Sequence, residues 1–379
     1  MLNVNIMRKS LLKAALEGKL TNGDSSQWQW VRLGDVCNII MGQSPEGSTI
    51  NKTNGFEFHQ GKIFFGNEYI NVSDVKTSDP RKIAPVNSVL LCVRAPVGKV
   101  NMTNREICIG RGLAALKCKS EIDSRFLFYT LQHYEPIFKS KSTGTTFKAI
   151  TVNVVRNQLI PLPSLSEQLL IVSKLDSLFE CLDNLDKAQR KFQHDREIFR
   201  KSILKAALEG RLTGSDSSQW QWVKLGEIIS LRSGHDLPKD YDTNEENGTP
   251  YITGASNFHD GEIIINRWTS KPESIAHKGD VLLTCKGTVG KVAILELEKA
   301  HIARQVMAIT PLHDDIKYIA YVMKCNAHNL RQRAKSFIPG IERKDVLNML
   351  IPLPPLEEQQ KIVKRLDELM RVIDSLADT

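Results

Sequence analysis

Between Ser164 and Leu212 the apolar positions fall into a long repeating pattern. Ile171, Leu175, Leu178, Leu182, Leu185, Phe192, Phe199, Ile203 and Ala206 lie on one seam with alternating spacings of four and three, interrupted only by Gln189 and Arg196. That spacing predicts a heptad seam rather than the broader stripe of a helix lying on a globular core. Neither Pro nor Gly occurs from Ser166 to Glu209, so the stretch predicts one helix, a rod of roughly 66 Å at about 1.5 Å per residue. Ser164 with Glu167 reads as a capping box at its start. Gly210 stands where a helix end takes a left-handed residue.

A seam this long needs a partner, and the chain carries one in two pieces. Residues 350–376 repeat residues 159–185, and residues 200–227 repeat residues 8–35 with six differences. The C-terminus thus copies the first part of the central helix and the N-terminus copies its last part; only about Lys187–Phe199 has no copy. Joined end to end, the termini would rebuild most of a second long helix. Repetition of this fidelity predicts two similar halves related by a pseudo-two-fold axis.

Each copied helix end runs into a loop and then a junction, Gln27-Trp28-Gln29-Trp30-Val31-Arg32-Leu33-Gly34-Asp35, nearly repeated at Gln219–Glu227. The alternating tryptophans suggest a strand entering a domain, with Trp28 and Trp30 seating that domain on the helix. Beyond the junctions lie two segments of mostly divergent sequence, 36–158 and 228–349. Short apolar runs punctuated by Gly and Pro predict mixed, strand-rich domains. Their kinship survives in islands. Val89–Val100 matches Val281–Val292, a buried strand, a turn carrying a cation and a second strand. Ile109-Gly110-Arg111-Gly112 aligns with Ile302-Ala303-Arg304-Gln305. The fold class is therefore α+β: two mixed strand-rich domains joined by two long antiparallel coiled-coil helices, pseudo-two-fold symmetric.

Composition narrows the function more by exclusion than by signal. The 379 residues suffice for two or three domains, each with its own core. No apolar run approaches a membrane span, and no signal peptide opens the sequence. Seven scattered cysteines without a Cys-x-x-Cys pair suggest reduced thiols in a cytoplasmic protein. There is no His-Glu-x-x-His, nucleophile elbow, Gly-x-Gly-x-x-Gly or phosphate-cradling loop, and Gly98-Lys99 and Gly290-Lys291 lack the spacing for the last. Nothing points to catalysis or to a bound metal or cofactor in this chain.

Binding chemistry is better represented. The net charge of +8 is compatible with nucleic acid. Cations cluster in loops beside Gly, Ser and Thr: Lys139, Lys141 and Lys148, with the hydroxyl of Thr145 among them, in one domain, and Arg331, Arg333, Lys335, Arg343 and Lys344 in the other. With the island cations Arg94, Lys99, Arg111, Lys286, Lys291 and Arg304 they form the candidate DNA-binding set, because Arg and Lys neutralise phosphates and read guanine edges. An ordinary solvated surface is the competing reading of each. The near-identical copies call for a different partner, one bound twice. Leu16, Glu17 and Leu20, with Leu208, Glu209 and Leu212, are the candidate docking residues, although the leucines equally suit packing within the chain.

Two divergent domains, two near-identical junctions and a pair of split helices resemble the specificity subunit of type I restriction–modification systems. The residues carrying the resemblance are the Leu-Ile-Pro-Leu-Pro…Glu-Gln…Ile-Val…Leu-Asp runs at 159–176 and 350–367 and the Lys-Ser-x-Leu-Lys-Ala-Ala-Leu-Glu-Gly-x-Leu runs at 9–20 and 201–212. The Trp-x-Trp-Val-x-Leu-Gly junctions also fit. The resemblance implies an N-terminal helix (1–20), a first target recognition domain (21–163), a central helix (164–212), a second target recognition domain (213–355) and a C-terminal helix (356–379). It further implies that each domain reads one half of an asymmetric, bipartite site in double-stranded DNA. The helices set the spacer and dock two modification (methyltransferase) subunits, to which restriction (translocase/nuclease) subunits add. S-adenosylmethionine, ATP and Mg²⁺ belong to those partners. Two other readings stay open. A stand-alone DNA-binding regulator would bind its site without partners, and a self-contained methyltransferase or nuclease would act on DNA as purified chain.

Overall fold

The central helix forms as its composition predicts, and it ends where glycine allows. It runs unbroken for 44 residues, Leu165–Leu208. Beyond it, Gly210 takes φ +74°, and the Arg211 and Gly210 amides donate back to Ala206 and Ala207. This is a Schellman closure, which needs a left-handed residue. The N-terminal helix closes identically at Gly18, with Lys19 and Gly18 donating to Ala14 and Ala15. At the start of the central helix only half of the expected capping box forms. The Ser164 hydroxyl accepts from the Glu167 amide at 3.4 Å, but the Glu167 carboxylate is bonded to Thr21 instead of reaching back.

The computed structural model describes residues 3–21, 23–144, 148–243, 248–259, 261–333 and 340–376. The chain divides into two units, Met1–Arg190 and Lys191–Thr379. In the first unit, helix α1 (Val4–Leu16) precedes the domain, helix α2 (Ser124–His133) lies within it, and helix α3 (Leu165–Leu208) follows. Helix α3 continues past Arg190 into the second unit, which also holds α4 (Ile316–Arg333) and α5 (Leu356–Ser375).

Each domain is built on two sheets. In the first unit an antiparallel sheet has the order 37–41, 113–118, 88–92, 100–103. Beside it lies a mixed five-stranded sheet in which Phe56–His59 runs parallel to Ile107–Ile109. The second unit repeats both, with 229–233, 306–311, 281–284 and 292–294 antiparallel, and Thr249–Ile252 parallel to Lys299–Ile302. A third, two-stranded ribbon ties chain entry to chain exit: Gln29–Arg32 pairs with Leu159–Leu162, and Gln221–Lys224 with Leu350–Leu353. Along this ribbon Val31 and Ile160 face inward, while Trp30 stands opposite Pro161 on the outer face. Proline is tolerated there because an edge strand needs no further donor.

The expected seating role holds for only one tryptophan of each pair. Trp28 packs against the first core and Trp220 is buried in the second. Trp30 and Trp222 are 60% and 65% exposed. Trp28 and Trp220 stand ahead of the strands, at the ends of the 3-10 turns 25–27 and 217–219, so strand alternation, which would put residues two apart on one face, does not extend to them.

The heptad seam also needs correcting. Leu178, Phe192 and Phe199 are exposed, and no residue from 183 to 202 is buried. Burial is confined to the helix ends: Ile171, Val172, Leu175, Phe179 and Leu182 in the first unit, and Ile203, Leu204 and Ala207 in the second. Each end packs against a terminal helix and a domain at once, so it presents the wider stripe of a core-facing helix.

The pairing with the terminal helices is antiparallel in both units and uses equivalent residues. Arg8 of α1 bonds Asp183 and lies over the Phe179 ring, while Thr21 bonds Glu167 near the other end. In the second unit Arg200 of α3 bonds Asp374 and Thr213 bonds Glu358. The helix that follows each ribbon, α3 in the first unit and α5 in the second, is then fastened to its domain by a second repeated set. Tyr129 of α2 donates to Asp176 at 2.6 Å, and Tyr321 of α4 donates to Asp367 at 2.5 Å. Arg125 chelates Asp176 and also holds Glu68 of the domain, whereas Lys317 takes the equivalent place on Asp367 alone.

The deepest of these fasteners is a buried glutamine. The Gln168 carboxamide accepts from the Asp123 amide and donates to the Glu121 and Pro163 carbonyls. Gln359 accepts from the Asp315 amide and donates to Asp314 and the Pro354 carbonyl. We predict that Gln168→Leu costs about 2–3 kcal/mol, since it strands three backbone groups in a closed site. Gln359→Leu should cost a similar amount in its own unit, and the two losses should add. Denaturant unfolding of both single variants and the double variant checks this.

Candidate nucleic-acid interface

In the first domain the strand–turn–strand island forms as its sequence predicts. Ser88–Cys92 is wholly buried, the chain turns at Arg94, and Val100–Thr103 returns beside it. The basic segment ahead of the helix then zips onto this turn. The Ala95 amide donates to the Lys148 carbonyl and the Ile150 amide to the Val93 carbonyl. Two stretches more than 50 residues apart in sequence thereby become one surface. The second unit repeats the contact, with Lys286 bridged to Gly340 and the Ile341 amide donating to the Cys285 carbonyl.

This surface rims a cavity of about 650 Å³ whose lining includes Gln60, Lys62, Ile63, Arg94, Pro96 and Lys148. Its floor is formed in part by Cys92 and Gly112. Glycine is required at 112, because a Cβ there would meet the Gln60 carbonyl oxygen at 2.2 Å. Burial pushes the Cys92 thiol up to about 12, so the sulfur is a neutral wall rather than a nucleophile. From the adjacent loop, Ser44 links Gln60 and Arg111, its hydroxyl 3.4 Å from Gln60 Oε1, Arg111 N and Arg111 Nε.

The candidate cations divide sharply by what holds them. Arg94, Lys148 and Lys286 are exposed and make no ion pair among the described residues. Arg111 bonds only Ser44, and Arg343 bonds the Ser233 hydroxyl at 3.2 Å. The others are engaged within the fold. Lys99 and Lys139 share Glu135 at 3.1 and 2.6 Å. Lys141 donates to Gln158, and Arg331 donates to the Val289 carbonyl. Arg304 pairs with Asp236 and Lys344 with Glu342. Lys291 donates to the Ala255 and Phe258 carbonyls at 2.9 Å each, a role inside the domain. Thr145 and Lys335 lie outside the described residues; Arg333 closes α4. Gln60, Lys62 and Ile63 carried no sequence signal, being some 30 residues from Arg94 in a different loop.

Behind this loop sits a buried charge network. Arg105 grips Glu57 through two nitrogens at 2.6 and 2.8 Å, the Ser73 amide donates to it at 2.8 Å, and His59 Nε2 lies 2.7 Å away. Burial alone would raise the Glu57 carboxyl, but Arg105, the Ser73 amide and His59 outweigh it and hold it down to about 2. Burial likewise keeps His59 below its ordinary range, despite Glu57. The His59 ring packs edge-on to Phe64 at 5.4 Å, so the network braces the loop that carries Lys62 and Ile63.

The docking candidates separate by side chain. Leu16 and Leu20 pack against the first core, and Leu208 and Leu212 against the second. Glu17 pairs with Lys19 and Lys13, and Glu209 with Arg211 and Lys205, all on the surface. Among the described residues no cluster of His, Cys, Asp and Glu has the arrangement of a metal site, and no helix is long and apolar enough to cross a membrane.

Comparison with known proteins places these features in a family. The family described as "Type I restriction modification DNA specificity domain" matches residues 25–191 and again 217–378. A putative type I restriction enzyme MjaX specificity subunit from Methanocaldococcus jannaschii is 37% identical over 216 residues, covering 55% of this chain and 50% of that protein. The EcoBI specificity subunit from Escherichia coli is 27% identical, covering 99% of this chain and 85% of its own. Among solved structures, a chain from a study of type I R-M complex assembly and conformational transition superposes with TM-score 0.77 at 27% identity, covering 92% of this chain and 91% of that one. The HsdS subunit from Thermoanaerobacter tengcongensis gives TM-score 0.57 at 26% identity, with 93% and 91% covered.

A test of the buried network follows from its charges. A carboxyl depressed in the folded state contributes stability that is complete above its ordinary pKa, near 4.5, and is lost as pH falls through about 2. We predict that Arg105→Leu lowers stability by about 2 kcal/mol at neutral pH, less than a fully buried pair would lose because Arg105 stays partly solvated. The gap between wild type and variant should close as pH falls through that window. Urea unfolding across pH checks it; a gap independent of pH would mean that Arg105 acts through packing alone.

Proposed function

We propose, on the premise that the chain belongs to the type I restriction–modification DNA specificity family and is a specificity subunit with two target recognition domains, that each unit reads one half of a bipartite double-stranded DNA site. The chain is the recognition component of its complex and not the catalyst. One observation carries the reading. Equivalent locks (Arg8–Asp183 and Arg200–Asp374, Tyr129–Asp176 and Tyr321–Asp367, Gln168 and Gln359) hold two domains whose cationic faces differ. Among the described residues of the first unit, Arg94, Lys148 and Lys62 make no ion pair, and Arg111 meets only a serine. In the second, Lys286 makes no ion pair among the described residues, but the counterpart of Arg111, Arg304, is neutralised by Asp236. Repeated supports with different reading surfaces suit an asymmetric target, in which phosphate contacts position the domains and side chains at base edges specify them.

In this reading the free cations and Arg111, Gln60 and Arg343 face DNA, and the length of α3 sets the gap between half-sites. The repeated scaffold docks two methyltransferase subunits, which bring S-adenosylmethionine; restriction subunits bring ATP and Mg²⁺ chemistry. With the leucines turned inward, the outward repeated side chains Glu17, Glu209, Trp30 and Trp222 are the docking surface we favour. Aromatic side chains with charged neighbours are typical anchors of such interfaces.

Two outcomes are expected. Replacing residues 36–158 by the equivalent domain of a relative should change one half of the methylated motif and leave the other intact, as read by methylome sequencing of cells carrying the chain and its methyltransferase. Changes in both halves would end the two-module reading. Separately, Glu17→Lys with Glu209→Lys should weaken capture of the methyltransferase while the chain stays folded, since exposed ion pairs contribute little to stability. Native mass spectrometry should then show two-to-one complexes for wild type and fewer partners for the double variant.

A further inference from the structure

Ile63 is the most exposed large hydrophobic side chain among the described residues, at 85%. Its position is enforced from below. Lys62–Phe64 forms a single 3-10 turn closed by the Phe65 amide donating to the Lys62 carbonyl. Phe64 and Phe65 both pack into the small core between the two sheets. Phe64 also meets the His59 ring, and its carbonyl accepts from Asn71, while Phe65 is bridged to Ile70. With those two aromatic residues turned inward, the turn throws Ile63 outward. The tip therefore stands on a braced turn, flanked by Lys62 and Gln60 and sharing the cavity rim with Arg94 and Lys148.

An isolated apolar tip beside cations that make no ion pair among the described residues has a specific counterpart in duplex DNA. The major-groove edge of thymine carries a C5 methyl group, the one apolar feature among polar base edges and phosphates. We infer that Ile63 contacts a thymine methyl in the half-site read by the first unit and so fixes thymine over cytosine or uracil at one position. Lys62 and Lys148 hold the flanking phosphates. This rests on the DNA-reading role proposed above and adds a specificity-determining residue to it. A protein partner is the weaker match for this tip. The partner-docking surface should occur twice, yet the equivalent turn of the second unit, Ala255–Asn257, carries Ser256 in place of Ile63.

The test couples a side chain to a single methyl group. The wild-type motif is first defined by methylome sequencing, and the complex of full-length chain with its methyltransferase is then titrated with duplexes in which each thymine in turn is replaced by deoxyuridine. Burial of one methyl corresponds to about a fourfold change in affinity. Wild type should lose about fourfold at one thymine of one half-site. Ile63→Ala and Ile63→Ser should show no loss at that position, bind the unmodified duplex correspondingly less well, and remain as sensitive as wild type at every other thymine. Three results would overturn the inference: variants as sensitive to deoxyuridine as wild type throughout, a first-unit half-site with no thymine on either strand, or variants that lose methyltransferase capture instead of base preference. A wild-type complex with no sequence preference at all would instead sink the DNA-reading role on which the inference rests.

Discussion

The structure depends on burying the helix that leaves each ribbon, α3 in the first unit and α5 in the second, against its domain without leaving the adjoining backbone unpaired. A helix entering from a Pro-rich ribbon carries free amides and carbonyls into a closed corner, and a buried unpaired group costs about 1–3 kcal/mol. Gln168 and Gln359 meet that cost in nearly the same way, each pairing backbone groups of the domain and of the segment just before the helix with one side chain, although Gln359 gives one bond to the Asp314 carboxylate where Gln168 meets the Glu121 carbonyl. Around this point the rest is arranged. Isoleucine and leucine on these helices fill the cores, Asp176 and Asp367 accept the tyrosines, and Glu167 and Glu358 fasten the loops that follow α1 and α3.

Because those supports are the same in both units, the domains they carry are free to differ. Variation in the loops that carry the cationic rim leaves the anchoring bonds untouched, since the anchors lie on the helix side and the rim lies at the turns of the sheet. The network of Glu57, Arg105 and His59 belongs to the first domain alone; the second solves the same problem with His301, whose Nδ1 accepts from two backbone amides and whose Nε2 donates to the His235 carbonyl. The two networks differ chemically yet each braces the loops beside its parallel strand pair.

Helix positions and glycine caps, the repeat and the two strand–turn–strand islands were legible in the sequence. Each depends on local periodicity or on a residue type with a single conformational use, such as glycine at a left-handed position. The repeat also exposed the symmetry, because near-identical sequence in the same setting makes the same contacts. Legibility stopped where side chains from distant segments compete for one another. Lys99 and Lys139 looked like free cations until the fold placed both on Glu135, and Lys291 looked like a loop cation until two carbonyls were found around it.

What the sequence determined by itself was therefore the scaffold: two units, one unbroken helix, antiparallel terminal partners and a basic, strand-rich domain in each unit. Tertiary structure alone decided which face of the helix is buried, because the stripe widens where a domain and a terminal helix press on it together. It alone decided which of two tryptophans seats the domain and which faces outward. It also assembled the candidate interface, since Gln60, Ile63, Arg94 and Lys148 share a rim only after the segment before the helix pairs with the turn after a buried strand. Periodicity reports on neighbours along the chain; ion pairs, exposed tips and clefts are settled by residues that the chain brings together from far apart.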